Sequence, residues 1–422
     1  MGLLDLPDDI LFNITSTLAI PDVLALTQNT QTCRVLHAFG STDYLWHRLV
    51  EQTELPLDIP ADTPAAQLSG EDLQRLAIRA IRLQLNWRRP HTRITRTVSL
   101  NTPSDALYDY MHLVPGGQIR TIAVDESVDV REDMTPPPSV LVSRRLDIPP
   151  IPGLPHAPLL LEAVSVSDTT LMASVARIVT GEEIISRILI ADTQAGPARW
   201  MQMQPLQARI QDKRVIVFGR VNEDFVVRVY ELPSTILRGS CGEPHTSTLH
   251  AVQEETEIEW GPMLQQLQVP LGTSLVDSIY VPSRFTSALA VFVVDDRYEN
   301  QPIGRILSYS LDDHKWGTRQ AVRSDIMCLP VDTSVRLVGV GATGFRAVWM
   351  EYSFETTRSR LMKMEFGLNS EGELEIYHGV LLPADPPLPF SMDACHMLAF
   401  DEATGRLCLG LWDGGLHVVD FL

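Results

Sequence analysis

Residues 407–421 read LCLGLWDGGLHVVDF, in which two apolar runs, 407–411 and 416–421, flank the segment WDGG. Apolar runs on either side of glycine and aspartate predict two antiparallel strands joined by a tight turn. The same form recurs along the chain, for example in residues 215–219 followed by 225–230. We therefore expect strands throughout the chain from Thr92 onward.

The number of these apolar runs predicts a large all-β body. Further strands are predicted at 119–124, 288–294, 306–311, 336–340 and 347–352. At roughly 45 residues for each four-stranded unit, residues 92–422 allow about seven units, the blades of an irregular β-propeller. No unit carries the full Gly-His to Trp-Asp signature of WD repeats, and the dipeptide Trp412-Asp413 falls in a turn.

The first ninety or so residues have a helical pattern instead. Apolar residues at three-and-four spacing predict a helix from Asp8 to Leu18, a second short helix that Pro21 opens, and a third near residues 33–39. Such short helices are stable only when they pack against other elements. The overall fold class is therefore α+β, with a small helical module before the β body.

A stronger helix is predicted from Gly70 to about Trp87, because Ser69 and Asp72 form a capping-box-like start. One side of this helix carries a row of arginines. The row is either a solvated face or a docking face for an acidic neighbouring domain. Its members are Arg75, Arg79 and Arg82.

Composition limits the function classes. The chain has 422 residues, 45% hydrophobic and 21% charged, which is typical of a folded protein of two or three domains. A net charge of −19 makes nucleic acid and anionic membranes unlikely partners. The apolar window 288–294 is too short for a membrane span, and the N-terminus has no secretory pattern, so we expect a cytoplasmic or nuclear protein with reduced cysteines.

Three motifs could carry chemistry, but each favours a structural role. Residues 339–344 match G-x-G-x-x-G, yet a strand follows them, so a glycine-rich hairpin is expected rather than a dinucleotide site. Cys241, His245 and His250 lack a fourth zinc ligand nearby. The paired aspartates at 295–296 and 312–313 follow strands directly and favour turns. We therefore expect no cofactor, no metal and no catalytic residue.

The N-terminal pattern is long and ordered. It comprises LPDDIL at 6–11, Ile14, Leu18, DVL at 22–24, Leu26, TCR at 32–34, LH at 36–37 and LWHRL at 45–49. This pattern resembles an F-box over roughly residues 4 to 50. The resemblance implies a trihelical module that docks on the Skp-type adaptor of a cullin-based SCF ubiquitin ligase.

A module this small cannot bury all its leucines internally, so some are expected to face a partner. The resemblance implies adaptor binding by Leu6, Pro7, Ile10, Leu11, Ile14, Leu18, Leu24, Leu36, Leu45 and Trp46. The alternative is that these side chains pack only against one another and against the helix that follows.

The expected organisation is an F-box at residues 1–60, a linker with a spacer helix at 61–91 and a propeller-like substrate-binding domain at 92–422. The expected function is that of a non-catalytic receptor, which holds an unknown target protein beside the ligase. The alternative is a propeller scaffold or ligand-binding protein with an F-box-like helical cap. The scarcity of lysine, limited to Lys213, Lys315 and Lys363, either spares the receptor from its own ligase or reflects a preference for arginine codons.

Overall fold

The structure is a computed structural model of the chain. Outside the central part of the chain, it describes residues 7–15, 17–18, 20–28, 38–52, 55–59, 65–100, 332–341, 345–368 and 374–422. Between residues 101 and 331 it describes Leu232 and the strands named below. The predicted zinc-like motif at 241–250, Lys213, Lys315 and the third predicted helix up to residue 37 lie outside the described residues.

The helices lie at the N-terminal end. Their bounds are α1 Asp8–Thr15, α2 Ile20–Gln28, α3 Asp43–Gln52 and α4 Gly70–Trp87, with short 3-10 turns at Ala65–Gln67 and Met392–Ala394. Residues 38–40 are also helical.

Helix α1 ends three residues before the predicted Leu18. The Thr15 hydroxyl donates to the carbonyl of Leu11 at 3.0 Å, and the Thr17 hydroxyl donates to that of Ile14 at 2.7 Å. The backbone N–H of Leu18 bonds to Thr15 in a tight turn. Threonine side chains offer the backbone an alternative to continuing the helix, and here they accompany its end.

Helix α4 has the bounds that the sequence predicted. Its N-cap is Ser69, whose hydroxyl accepts from the backbone N–H of Asp72 at 3.2 Å and donates to the Asp72 carboxylate at 2.6 Å. The hydroxyl bond lowers the pKa of Asp72. The helix begins at Gly70 because the bond from the Asp72 N–H to the Ser69 hydroxyl satisfies a donor that the first turn leaves without a helical partner.

The remaining described elements are antiparallel strands. The strands up to residue 202 are β1 Arg96–Leu100, β2 Tyr110–Val114, β3 Gln118–Val124, β4 Val128–Asp133, β5 Leu141–Leu146, β6 Leu159–Val166, β7 Leu171–Thr180, β8 Glu183–Asp192 and β9 Ala198–Gln202. The next eight are β10 Gln207–Gln211, β11 Arg214–Val221, β12 Asp224–Glu231, β13 Met263–Val269, β14 Ser278–Tyr280, β15 Ala288–Asp295, β16 Ile303–Ser310 and β17 Arg323–Cys328. The last seven are β18 Thr333–Val340, β19 Arg346–Ser353, β20 Arg358–Leu368, β21 Leu374–Leu382, β22 Cys395–Asp401, β23 Arg406–Leu411 and β24 Leu416–Asp420.

These strands form six four-stranded sheets within the described part of the chain, where about seven units were expected. Five sheets use four strands that are consecutive in the sequence. The sixth joins the first strand to the last three, because β1 pairs antiparallel with β24 from Arg96 opposite Asp420 to Leu100 opposite Leu416. The chain is therefore α+β, with its strands in antiparallel sheets.

The predicted hairpins are present. The segment 412–415 joins β23 to β24, and Gly414 has a φ of 85°, which a glycine adopts without strain. The G-x-G-x-x-G segment joins β18 to β19, and the N–H of Gly341 donates to the carbonyl of Arg346 at 2.8 Å. A strand follows this segment, as the sequence predicted.

Two apolar cores share helix α4. Its first half, with Leu73, Ala77 and Ile81, packs in a cluster with α1, α2 and α3. Its second half, with Leu83 and Trp87, packs in a cluster of the β body. The helix therefore connects the two parts through continuous packing, while the domain limits given above stay a prediction.

Candidate adaptor-binding surface and its junction with the β body

The surface of α1 contains two of the predicted adaptor-binding residues. Pro7 precedes the helix, and its carbonyl accepts from the backbone N–H groups of Ile10 and Leu11 at 3.0 and 3.1 Å. Pro7 is exposed, and the Ile10 side chain is 39% exposed. An isoleucine left this accessible on a short amphipathic helix can be buried by a partner.

Four other predicted residues are core residues. Leu11, Leu24, Leu45 and Trp46 are buried in the cluster that α1, α2, α3 and α4 share. The indole N–H of Trp46 also donates to the carbonyl of Gly40 at 2.7 Å, which fixes the ring inside the module. These side chains therefore belong to the core of the helical module and present almost no surface of their own.

Of the remaining four predicted residues, two are half-buried and two lie outside the described residues. Ile14 is half-buried on α1, one turn after Ile10, and Leu18 is half-buried against the helical core. Leu6 and Leu36 lie outside the described residues. The contact role of the whole set stays a prediction, in which Pro7 and Ile10 are exposed and Ile14 is half-buried.

Sequence reasoning did not select Tyr44, although its side chain is 57% exposed. It lies in the first turn of α3, and its ring meets that of Phe12 edge-on at 4.8 Å between centroids. Its hydroxyl accepts from Arg48 at 3.3 Å. A helical wheel of α3 places Tyr44 about 120° from the mean direction of the buried Leu45 and Leu49, outside their stripe, so the signal was present in the sequence.

Helix α3 is joined to the start of α4 at a close contact. The Asp43 carboxylate accepts from the backbone N–H of Gly70 at 2.7 Å. A Cβ added at Gly70 would lie 2.7 Å from the Cα of Asp43. Glycine therefore allows the two helix N-termini to meet, and a carboxylate stabilises the positive end of the α4 dipole.

The other end of α4 enters the β body through aromatic packing. The Trp87 ring is fully buried, stacks on Phe400 at 5.3 Å and meets Phe421 edge-on at 6.1 Å between centroids. Leu83 packs against Gly405, whose φ is 65° and whose added Cβ would lie 2.3 Å from a Leu83 methyl. The β22–β23 turn is therefore shaped to accept the helix.

A buried lysine closes the C-terminal end of α4. The Lys363 ammonium, on β20, donates to the carbonyl of Trp87, to that of Arg89 at 2.6 Å and to the Thr92 hydroxyl at 2.5 Å. Its side chain has no exposed surface. A cation at this position satisfies helix carbonyls and opposes the negative end of the dipole.

Two arginines and a glutamate complete the junction. The fully buried Glu365 accepts from Arg88 at 2.6 Å and from Arg346 at 2.9 Å, which ties the last turn of α4 to strands β19 and β20. Arg346 also donates to the carbonyl of Glu402 at 3.1 Å. Burial lowers the pKa of Arg346, and the Glu365 charge opposes that shift.

Lys363 gives the junction a pH dependence. Desolvation lowers its pKa from 10.5 to about 8, although the Glu365 charge favours the protonated form. Between these values the unfolded chain holds a proton that the folded chain has released, so the contribution of Lys363 to the free energy of unfolding rises with pH. We expect the stability difference between the unmodified chain and Lys363→Met to increase from pH 8 to 10 in denaturant titrations. A difference that falls over this range would contradict the assignment.

No group of three or more histidine, cysteine, aspartate or glutamate side chains is arranged to hold a metal ion in the part of the chain that the structure describes. Within those same residues, no helix has both the length and the apolar character that crossing a membrane requires.

The helices of this site match a known family. Residues 3–52, which include α1, α2 and α3, match the F-box-like family. No curated protein matches the chain in sequence. Among solved structures, a chain of the "Crystal Structure of Mitotic Checkpoint Complex" aligns with a TM-score of 0.39 and 10% identity, covering 78% of this chain and 94% of that chain. The chain therefore carries an F-box-like domain, which implies a Skp-type adaptor as its partner.

Proposed function

We propose that the chain is the substrate-recognition subunit of an SCF-type ubiquitin ligase. Its F-box-like domain would bind a Skp-type adaptor on a cullin scaffold, and its β body would bind a target protein. The single observation that carries this proposal is the accessible apolar side chain of Ile10, together with exposed Pro7, inside the family match at residues 3–52.

The junction supports a receptor role because it fixes geometry. A ligase raises the effective concentration of a bound target near its charged enzyme, and a rigid spacer makes that gain depend on distance and angle. Helix α4 has one end in the helical core and the other in the β body, where Trp87 and Lys363 hold it. Its 18 residues correspond to a spacer of about 27 Å.

We further propose that the six sheets are blades of an irregular β-propeller. The pairing of β1 with β24 would join the two ends of the β body, as a circular arrangement needs. Edge strands of different sheets also lie against each other, as β2 does with β6 and with β22, and β18 with β22. This arrangement is what radial packing of four-stranded units around an axis would produce.

The target would bind at the edge of the β body that lies away from α4. Strand β23 begins directly after Gly405, which packs against Leu83 of α4, and ends directly before Trp412. Gly405 and Trp412 therefore lie at opposite ends of one strand. Trp412 is 66% exposed, and its ring stacks on His396 at 4.5 Å between centroids. An exposed aromatic ring is a frequent anchor in protein interfaces.

In this proposal the chain binds the adaptor and the target, and the other subunits of the ligase supply the chemistry of ubiquitin transfer in trans. The proposed site of action is the cytoplasm or the nucleus. The burial of Leu11, Leu24, Leu45 and Trp46 favours one rival, a propeller scaffold whose F-box-like helices serve only as a cap. The two differ in whether the chain binds an adaptor at all.

Ile10→Asp tests the proposal at its most accessible apolar position. We expect the dissociation constant for a purified Skp-type adaptor to rise at least about tenfold, because the change removes apolar area and buries a charge without a partner. The measurement is titration calorimetry with the full-length chain. Leu85→Asp is the matched control, since Leu85 is an exposed aliphatic residue on α4, and it should leave the affinity unchanged.

The two possible negative results of this titration would lead to different conclusions. An unmodified chain that does not bind the adaptor would support the cap alternative and would end the receptor proposal. A chain that binds equally well with Ile10→Asp would keep the receptor role but would exclude this face of α1 as the contact.

A further inference from the structure

Helix α4 after its first turn, the linker that follows and strand β1 together form a strongly basic segment in an acidic chain. Residues 73–104 contain seven arginines, one histidine and no aspartate or glutamate, whereas the whole chain has a net charge of −19. Clustered positive charges repel one another unless they meet carboxylates within the chain or on a partner. The positions of these arginines show which of them meet carboxylates within the chain and which are left for a partner.

Three of the seven arginines have partners within the chain. Arg75 pairs with Asp72 at 2.6 Å, Arg79 pairs with Asp58 at 3.0 Å, and Arg88 pairs with Glu365 at 2.6 Å. Part of the predicted arginine row is therefore used internally, and Arg79 links α4 to the preceding loop. All three members of the row, Arg75, Arg79 and Arg82, are nevertheless exposed, so the row is a solvated face that carries two surface ion pairs.

Other arginines of the segment point outward. Arg82, Arg89 and Arg93 are exposed, and among the residues that the structure describes they form no ion pair. Arg82 and Arg89 are seven residues apart, about 10.5 Å along a helix. The backbone N–H of Arg89 donates to the carbonyl of Asn86 at 3.2 Å, so the chain keeps a helix-like path beyond Trp87.

An apolar side chain completes this surface, which is called the basic face and consists of Arg82, Leu85, Arg89 and Arg93. Leu85 is 62% exposed and lies three residues after Arg82, hence beside it on the helix surface. Leucine favours the helix at this position, and its exposed aliphatic side chain also offers apolar contact area. The combination of two helix-spaced guanidinium groups and one aliphatic contact fits a ligand with carboxylates around an apolar side chain.

We propose that the basic face binds an acidic segment of another protein, one that carries an apolar residue between its carboxylates. Charge complementarity favours a short segment over nucleic acid. Screening limits the attraction of the basic face to about 8 Å at physiological salt, and a long polyanion would extend over the acidic remainder of the chain. This proposal does not depend on adaptor binding.

The test uses the full-length chain and a short fluorescent peptide of glutamate and aspartate residues around one leucine. The combined change Arg82→Glu and Arg89→Glu should raise the dissociation constant about tenfold or more in anisotropy titrations, with a weaker salt dependence. Leu85→Ser should raise it about threefold. The matched control is Arg336→Glu with Arg358→Glu, which makes the same charge change at two exposed arginines of the β body and should have little effect.

Three results would overturn the proposal. An equal loss in the control variant would show that overall charge governs binding. Equal affinity for a peptide with glutamine and asparagine in place of the acids would show that carboxylates are not recognised. A single-stranded oligonucleotide that binds more tightly through Arg82 and Arg89 would assign the face to nucleic acid. Circular dichroism and adaptor titration of each variant report folding and the adaptor surface separately.

Discussion

Trp87→Ala is expected to lower the free energy of unfolding of the β body by about 3–5 kcal/mol, because it removes a large ring from a packed core. The ring is fully buried between Phe400 and Phe421, where α4 enters the β body. The loss leaves a cavity at the junction, so the spacer helix should also separate more easily from the sheets. Denaturant titration followed by circular dichroism measures the first effect, and hydrogen exchange along α4 measures the second.

Trp412→Ala is the matched control for this prediction. Trp412 is 66% exposed, and the same substitution there should change stability by no more than about 0.5 kcal/mol. Adaptor affinity should be unaffected by either change, because both residues are remote from α1. A loss below about 1 kcal/mol for Trp87→Ala would mean that the aromatic contact does not hold the helix on the β body.

Lys363→Met has the second largest expected effect, a destabilisation of about 3 kcal/mol. The substitution keeps the length of the side chain but removes the donor shared by the carbonyls of Trp87 and Arg89 and by the Thr92 hydroxyl. After the substitution, Arg88 and Arg346 must neutralise the charge of Glu365 without the help of the nearby lysine. The measurement is the denaturant midpoint at neutral pH.

Arg82→Met, on α4, is the control for the loss of one positive charge at an exposed position. Arg82 is exposed, and among the described residues it forms no ion pair, so its replacement should leave the midpoint unchanged. If both variants were equally stable, the buried lysine would be dispensable and the junction would rest on apolar packing alone. The burial of Lys363 also shows that at least one of the three lysines has a structural role, which bears on the scarcity of this residue type.

The helical module shows what the sequence pattern could predict and what it could not. The F-box-like pattern was visible in the sequence, and the family match at residues 3–52 confirms it. The pattern could not separate Ile10, which is 39% exposed, from Leu11, which is 1% exposed, because both belong to the apolar stripe of one short helix. Only the packing of α1 into the core that it shares with α2, α3 and α4 decided which side of that stripe is covered.

The sequence by itself determined the division into helices and strands, the bounds of α4 and the turn at 412–415, because periodicity, capping and turn residues act between neighbours. Only the tertiary structure decided the junction. Lys363 meets the end of α4 across 276 residues of chain, and Asn86 bonds to the carbonyl of Phe421 across 335. Such contacts depend on how the sheets and the helix are placed in space, and no local pattern encodes that placement.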